Sequence, residues 1–537
     1  MSGVAPEARA VNLSHALTQI ARRLPAHDAI IQGDDRWSWQ ELDARCSAVA
    51  EELARRGVGA GDCVMLDGPN SPEYIQAMYG VWRAGATVAP VNSRLHPAEL
   101  AGLAEVCQPT LMIAHSSTAT HVAAVRAAVP GLQHLWLDDG PTEEPDGRPE
   151  SEAPQDGTLQ RMTRARGRVV DSPRERGDHA WYFFTSGTSG RSKAAVLSHD
   201  QLGFVVTNHL ADLMPGLSAQ DRSIVVAPLS HGAGIHLLSQ VSRGAATVLP
   251  TSPRLDAAEI WKLVEREKVT NTFTVPTILK RLVEAPEARS RDHSSLRHVI
   301  YAGAPMPSPD LATARETLGD VLVQYYGLGE VTGNITVLPA DLHDHPSPPG
   351  VPFSTCGLPR TGMEISVQDD DGRALPALEP GEICVAGPAV FAGYLNNPTA
   401  TRDAFRNGWF RTGDVGLLDE SGFLFLTGRV SDMYISGGSN IHPREIEEHI
   451  LQHKDIRETV VLGMPDPEWG EVGVAVCVRR ADTHLTGAEL RDWLRERTAR
   501  YKVPRHVVFW EDLPRSGYGK IARRTVREKL LLEGFSP

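Results

Sequence analysis

The sequence predicts an α/β protein built in several units: a large N-terminal α/β region, a β-rich part after it, and a small α+β domain at the C-terminal end. Three observations predict this. The 537 residues exceed what one hydrophobic core organises, and suggest two to four domains. Short apolar runs alternate with helical patterns over the first third, and again from Ala180 to about Tyr326, as expected of parallel strands joined by helices. Beyond that, turn signals crowd between short apolar runs, and roughly the last hundred residues return to a compact mixture.

Taken in order, apolar residues at helical spacing run from Leu42 through Val49 to Leu53. Ser38, with Glu41 three residues on, has the spacing of a capping box, and Gly57 marks the stop. "DCVMLDG" predicts a buried strand, "EYIQAMYGVWRAG" a helix ending at Gly85, and "ATVAPVN" a second strand. Over residues 138–178 the periodicity lapses into an acidic Pro/Gly-rich stretch and then a basic one, which predicts a long mobile surface connection. From "HDHPSPPGVPF" to Gly428, turn pairs separate short strands. The tail then predicts helices at "PREIEEHILQH" and "GAELRDWLRER" and strands at "TVVLGM" and "VGVAVCVRR". No internal repeat is present.

Composition excludes several classes. Hydrophobic content of 41% and charged content of 23% are those of a globular protein with a large core. A net charge of −13 argues against an electrostatic nucleic-acid binder. The six cysteines form no CxxC pair, which argues against a disulfide framework or zinc knuckle and points to a reducing, cytoplasmic setting. The N-terminal stretch has no basic region leading into an apolar block, so no signal peptide is expected. No apolar run approaches the roughly 18 residues of a membrane span.

Chemistry concentrates first in "TSGTSGRSK". Thr185, Ser186, Gly187, Thr188, Ser189 and Gly190 form a loop of little bulk, followed by Arg191 and Lys193. Glycines let backbone N–H groups approach a ligand, hydroxyls add donors and the cations add charge, so a phosphate chain is the expected guest. This is not a Walker A loop: Ser192 stands where its second glycine belongs, and "KAAVLS" reads as a strand with Ser198 capping the next helix. A kinase is disfavoured on that ground.

Further segments follow in a fixed order: "PLSHGAG" at 228–234, "YAGAP" at 301–305, "QYYGLGE" at 324–330, "GEICVAGPAVFAGYLNNPTATRDAF" at 381–405, "WFRTGDVG" at 409–416, "GRVSDMYISGGSNIHPREIE" at 428–447 and "YKVPRHVVFWEDLPRSGYGKIARR" at 501–524. Together with the loop, this ordered set resembles the acyl-CoA synthetases of the adenylate-forming superfamily, which also includes peptide-synthetase adenylation domains and luciferases. The resemblance spans nearly the whole chain. It implies an N-terminal adenylate- and acyl-binding region of α/β subdomains closed by a β-rich one, residues 1–431, and a hinged C-terminal domain, residues 432–537. It also implies a two-step reaction, in which a carboxylic acid and ATP give an acyl adenylate and pyrophosphate, and coenzyme A then displaces AMP.

By the same resemblance, Lys520 stabilises carboxylate and phosphate oxygens during adenylation. Glu330 binds Mg²⁺, which suits a hard carboxylate oxygen. Asp414 accepts from the ribose hydroxyls and Arg429 supports the same region. Tyr326 flanks the adenine, with Gly303, Ala304 and Pro305 on its other side. His231 sits where the acyl and nucleotide pockets meet. Asp432 is the hinge, and Gly437 and Gly438 leave room for a pantetheine arm. Read in isolation, Lys520 would belong to a solvated basic face, Asp414 and Arg429 to solvated turns, and Tyr326 and His231 to the core.

The chain departs from the family pattern at three positions. Ser192 replaces a proline, Ala194 the last glycine of the loop, and Gly329 a threonine whose hydroxyl contacts the α-phosphate. A Cβ at position 194 would obstruct backbone approach or penalise positive φ, and the missing hydroxyl would cost about 1.5–3 kcal/mol. Weakened or lost adenylation is expected, with the acyl adenylate supplied by a separate adenylating enzyme as the alternative. A non-catalytic adenylate-binding protein is a second alternative. The small residues Gly232, Ala233, Gly234, Gly329 and Gly333 predict a roomy pocket for a bulky hydrophobic acid. With no carrier domain after Lys520, a multidomain peptide synthetase is disfavoured. A homo-oligomer is compatible with the sequence.

Overall fold

Ser38 caps the helix Trp39–Arg55 in a reciprocal box: its hydroxyl accepts from the Glu41 amide, and the Glu41 carboxylate accepts from the Ser38 amide. Ser71 caps Pro72–Ala84, which Gly85 ends in the left-handed conformation, and Ser198 caps His199–Asp212 through a box with Gln201. These elements form where the sequence predicts them. The computed structural model describes residues 9–139, 158–167, 169–185, 192–252, 254–429, 432–436, 439–515 and 521–535.

Two large sheets carry the α/β region. The six-stranded sheet has the spatial order Lys193–Ser198, His179–Thr185, Thr87–Val91, Cys63–Asp67, Leu111–Ala114, Gln133–Trp136, parallel except for the first pair. The nine-stranded sheet has a parallel centre, in which Ala246–Leu249, Arg222–Val225, Asn271–Thr274, His298–Tyr301 and Leu322–Tyr326 lie side by side. The units are interleaved in sequence. The hairpin Asp28–Gln32/Asp35–Ser38, from the first third of the chain, completes an edge of the nine-stranded sheet, while His179–Thr185 and Lys193–Ser198 join the six-stranded one. One apolar core spans both, with Trp39, Trp82, Trp181, Leu197 and Leu237 buried in it.

The β-rich part is a five-stranded antiparallel sheet including Gly381–Ala386, Trp409–Leu418 and Leu424–Arg429. The C-terminal sheet joins Tyr434–Ser436, Ser439–Ile441, Ile456–Asp466, Gly470–Arg479 and His506–Phe509. It packs with the helices Pro443–Leu451, Gly487–Arg495 and Arg523–Leu532 around cores of its own.

One expectation is corrected. The described part of residues 158–178 is fastened to the body rather than mobile. Gln76 donates to the carbonyls of Leu159 and Met162, Leu159 is fully buried, and Asp171 accepts from Ser14, Thr18 and the buried guanidinium of Arg83. The stretch lacks periodicity because, beyond the short turn Leu159–Arg161 and the pairing of Arg174–Glu175 with Arg9–Ala10, side chains from distant elements satisfy its backbone and charges. Residues 140–157 lie outside the described residues.

Candidate active site

The parallel strands of the nine-stranded sheet end together, and His231, Gly303, Ala304, Pro305 and Tyr326 lie at or beyond their carboxyl ends, where open α/β sheets form crevices. His231 follows Arg222–Val225, Gly303 to Pro305 follow His298–Tyr301, and Tyr326 closes Leu322–Tyr326. Gly303 has φ of +88°, a conformation that suits glycine. His231 begins the helix Gly232–Arg243; Ser230 Oγ lies 2.9 Å from its Nδ1, and the Phe183 ring meets it edge-on at 5.4 Å.

Two strands of the β-rich sheet bring in a carboxylate and its partners. Asp414 and Arg429 are register partners on Trp409–Leu418 and Leu424–Arg429. Arg429 Nε lies 2.8 Å from Asp414 Oδ1, and the Tyr326 hydroxyl donates to Oδ2 at 2.6 Å. Burial pushes the Asp414 carboxyl above its ordinary range despite Arg429 and Tyr326, which favour its charge. Burial and the neighbouring carboxylate push the Tyr326 phenol up, and Asp414 raises Arg429. The network is a fixed, buried acceptor beside an aromatic ring. Asp432 extends it: its amide donates to the Arg429 carbonyl, and Arg523 Nε approaches its carboxylate at 3.4 Å.

A second cluster assembles around Glu330. Its Oε1 accepts from the Thr185 and Tyr394 hydroxyls, both at 3.0 Å, and its carbonyl accepts from the Phe391 amide. Burial and the Glu330 charge raise the Tyr394 phenol. Among the described residues, Oε2 accepts no hydrogen bond, which leaves a hard oxygen of the kind Mg²⁺ takes. Lys193 Nζ stands 4.8 Å from the Tyr394 ring centroid, at the wall of an open hollow of about 420 Å³ shared with Asn397 and Thr399. The segment around Tyr394 reaches this place by adding to the edge of Lys193–Ser198: Leu395 donates to the Ala194 carbonyl and Val196 to the Gly393 carbonyl.

The structure therefore brings Thr185, Lys193 and Glu330 together, and separately Tyr326, Asp414, Arg429 and Asp432. Ser186, Gly187, Thr188, Ser189, Gly190, Gly437, Gly438 and Lys520 lie outside the described residues. Sequence reading missed Tyr394 and Phe183. Tyr394 stands inside the quoted 381–405 motif, so position was the only signal for it. Phe183 looks like any residue of a buried strand.

Two steric expectations are corrected. Ala194 is 1% exposed, and its Cβ packs with Tyr182, Phe184 and Val196 in the core on the opposite face of the strand from Lys193. Its backbone has no positive φ, so neither reason for a penalty at this position applies. Nor do the small residues leave volume. A Cβ on Gly232 would lie 2.6 Å from Phe273, on Gly234 2.1 Å from the Leu229 carbonyl oxygen, on Gly329 2.5 Å from Phe183, and on Gly333 2.6 Å from Tyr325. Ala233 is buried in the core. Rings and backbone fill the space that the small residues vacate.

Comparison with known proteins finds relatives along nearly the whole chain. The AMP-binding enzyme family matches residues 17–395, and the AMP-binding enzyme C-terminal domain matches residues 445–520. A feruloyl-CoA synthase of Amycolatopsis is 34% identical over 516 residues, covering 95% of this chain and 97% of that protein. A long-chain-fatty-acid–CoA ligase of Mycobacterium tuberculosis is 31% identical over 527 residues, covering 96% and 98%. The structure of the O-succinylbenzoate coenzyme A synthetase of Bacillus subtilis, in complex with ATP and magnesium ion, superposes with a TM-score of 0.81 at 28% identity over 95% of this chain and 98% of that one.

Proposed function

The chain belongs to the AMP-binding, adenylate-forming enzyme family and is an acid–thiol ligase, and from that premise we propose the following division of labour for both half-reactions. The observation that carries it is the buried Asp414 network, paired with the Thr185–Glu330–Tyr394 cluster at the same strand ends. Asp414 accepts from the ribose hydroxyls, Arg429 holds its charge, and Tyr326 with Gly303, Ala304 and Pro305 encloses the adenine. Thr185, Ser186, Gly187, Thr188, Ser189, Gly190 and Lys193 hold the triphosphate. Glu330 would hold Mg²⁺, which when bound neutralises charge on the phosphates.

A carboxylate oxygen attacks the α-phosphorus as the bond to pyrophosphate breaks, with Lys520 offsetting the charge that two anions bring together. His231 borders the acyl group. Rotation about Asp432, with the domain boundary there, then carries Lys520 away and brings Gly437 and Gly438 beside the pantetheine arm. The thiol, its proton lost, forms the bond to the acyl carbon, and the carbon–oxygen bond to AMP breaks.

Adenylation is slowed rather than abolished. With Ala194 packed in the core, the reduction rests on Gly329 alone, where one hydroxyl is missing, an effect of roughly ten- to a hundredfold. This same position favours the second reading, an enzyme that takes its acyl adenylate from a partner. Incubation with acid, ATP, Mg²⁺ and CoA, and separately with synthetic acyl adenylate and CoA, separates them. Thioester forms from both mixtures, more slowly from the first. Thioester from the second alone selects the partner-supplied reading, and none from either overturns both.

A further inference from the structure

On the ligase reading above, ATP brings its phosphates to Glu330 and Lys193, and both of these touch one side chain, Tyr394, at different places on it. The phenol donates to Glu330 Oε1 at 3.0 Å, and the Lys193 ammonium lies over the ring, 4.8 Å from its centroid. Thr185 donates to the same Oε1, also at 3.0 Å. Two hydroxyls on one oxygen fix the rotation of the carboxylate, and Oε2 has no donor among the described residues. Burial and the Glu330 charge keep the phenol protonated, so it is the donor. Among the described residues, no carboxylate forms an ion pair with Lys193, and Asp403, which shares its hollow, approaches Arg402 instead, at 3.9 Å. A flexible ammonium beside a buried carboxylate would ordinarily close onto it. Here the ring face takes the ammonium and the hydroxyl takes one oxygen of the carboxylate. Each charge is held, and neither neutralises the other.

The backbone of Tyr394 is fixed from two sides. On one, the Gly393 carbonyl and the Leu395 amide pair with Val196 and Ala194 at the edge of Lys193–Ser198, the strand that Lys193 opens. On the other, the Tyr394 amide donates to the Thr401 hydroxyl at 2.9 Å, and its carbonyl accepts from the Asn397 amide. The close fit calls for Gly393: its φ is +135°, and a Cβ there would lie 2.8 Å from Thr401. Phe391 meets the Tyr394 ring edge-on at 4.8 Å, and its amide donates to the Glu330 carbonyl. The segment therefore grips Glu330 by main chain and by side chain, while its edge pairing keeps the same ring beside Lys193.

We propose that Tyr394 is a positioning residue of the ATP site: it keeps Lys193 and Glu330 from pairing with each other, so that Lys193 stays available to the phosphates and Glu330 to Mg²⁺. The hydroxyl acts on the metal side and the ring on the phosphate side, so substitution separates the two. Thioester formation from a ready-made adenylate needs neither triphosphate nor metal, and depends on Tyr394 far less.

The test titrates α,β-methylene-ATP, which cannot break at the bond cleaved in adenylation, into the full chain by calorimetry, once with EDTA and once with Mg²⁺. Tyr394→Phe keeps the ring and removes the hydroxyl. It is expected to bind the analogue in EDTA within about twofold of the unaltered protein, and to lose about tenfold of the gain that Mg²⁺ brings. In a Glu330→Gln background the same substitution adds no further loss. Tyr394→Leu removes both parts, and is expected to weaken binding in EDTA about fivefold as well, a loss that disappears in a Lys193→Met background. Thioester formation from synthetic acyl adenylate and CoA falls far less in either variant, which also checks that both fold. An unchanged Mg²⁺ gain in Tyr394→Phe, binding in EDTA unmoved in Tyr394→Leu, or either loss persisting in its background variant overturns the proposal. Thioester formation falling in step with ATP binding overturns it too, leaving Tyr394 a purely structural part. Thioester from acid, ATP and CoA in variants that show no loss overturns the proposal and leaves the ligase reading intact. The expected losses in a protein that forms thioester from neither acid nor adenylate overturn the ligase reading and leave the role of Tyr394 standing. No binding of the analogue by the unaltered protein overturns both.

Discussion

Gly329 and Phe183 act as one unit. The glycine lacks the hydroxyl usual in the family, and the place of its side chain is taken: a Cβ would stand 2.5 Å from Phe183 Cδ1 and 2.9 Å from the Thr185 methyl carbon. Thr185 donates to Glu330, so pushing it aside disturbs the carboxylate proposed to hold the metal. Gly329→Thr alone is therefore expected to lower pyrophosphate release further, by tenfold or more, although it restores the hydroxyl. Phe183→Val with Gly329→Thr is expected to exceed Gly329→Thr at least tenfold, measured as pyrophosphate released under saturating ATP. Two singles whose effects simply add would show that the residues are independent. Ala194 illustrates the complementary lesson: a departure from a pattern gains meaning only from the face it occupies, and this one faces the core.

At the scale of elements, the tie between Asp432 and the helix Arg523–Leu532 is the informative feature. Arg523 opens Arg523–Leu532, three residues past Lys520, and donates to Glu447 at 2.5 Å and the Val461 carbonyl at 2.7 Å while approaching Asp432. Burial opposes its charge, but Glu447 and Asp432 outweigh this and raise it. If Lys520 acts in adenylation, this anchor positions it. Arg523→Met is expected to slow pyrophosphate release about tenfold and to affect thioester formation from synthetic adenylate far less, with Arg523→Lys recovering part of the loss; equal slowing of both steps would assign Arg523 a purely structural role. Elements were legible wherever the signal is local. Ser38, Ser198 and Gly85 announce helix ends within four residues, and the ordered motifs located the strands that carry Tyr326 and Asp414. Non-local pairings left no such trace. The Asp28–Ser38 hairpin joins a sheet whose neighbouring strand is Ala246–Leu249, and residues near Tyr394 add to Lys193–Ser198. Likewise, Arg360 and His236 come near each other only because distant elements pack.

Across the whole molecule, the C-terminal domain meets the N-terminal region through Pro443–Leu451, and that contact contains a titratable group. Arg444 donates to the Leu426 carbonyl and lies over the Phe353 ring. Glu448, on the same helix, is 5% exposed. Burial raises its carboxyl to about 7; Arg444 opposes the rise, and Glu447 and Asp310 add to it. Asp310 belongs to the N-terminal region and is itself paired with Lys280, so little positive charge remains to offset Glu448 once it ionises. The folded value exceeds the unfolded one of 4.5, so the group's contribution to stability is fully present below pH 4.5 and is lost as pH rises through about 7. The difference corresponds to about 3 kcal/mol at most. Glu448→Gln mimics the protonated form. Its melting temperature is expected to exceed that of the unaltered protein at pH 8.5, with the gap narrowing steadily toward pH 5. A gap that is constant with pH would mean that the substitution acts through packing alone, and one that widens toward acid would place the folded value below 4.5.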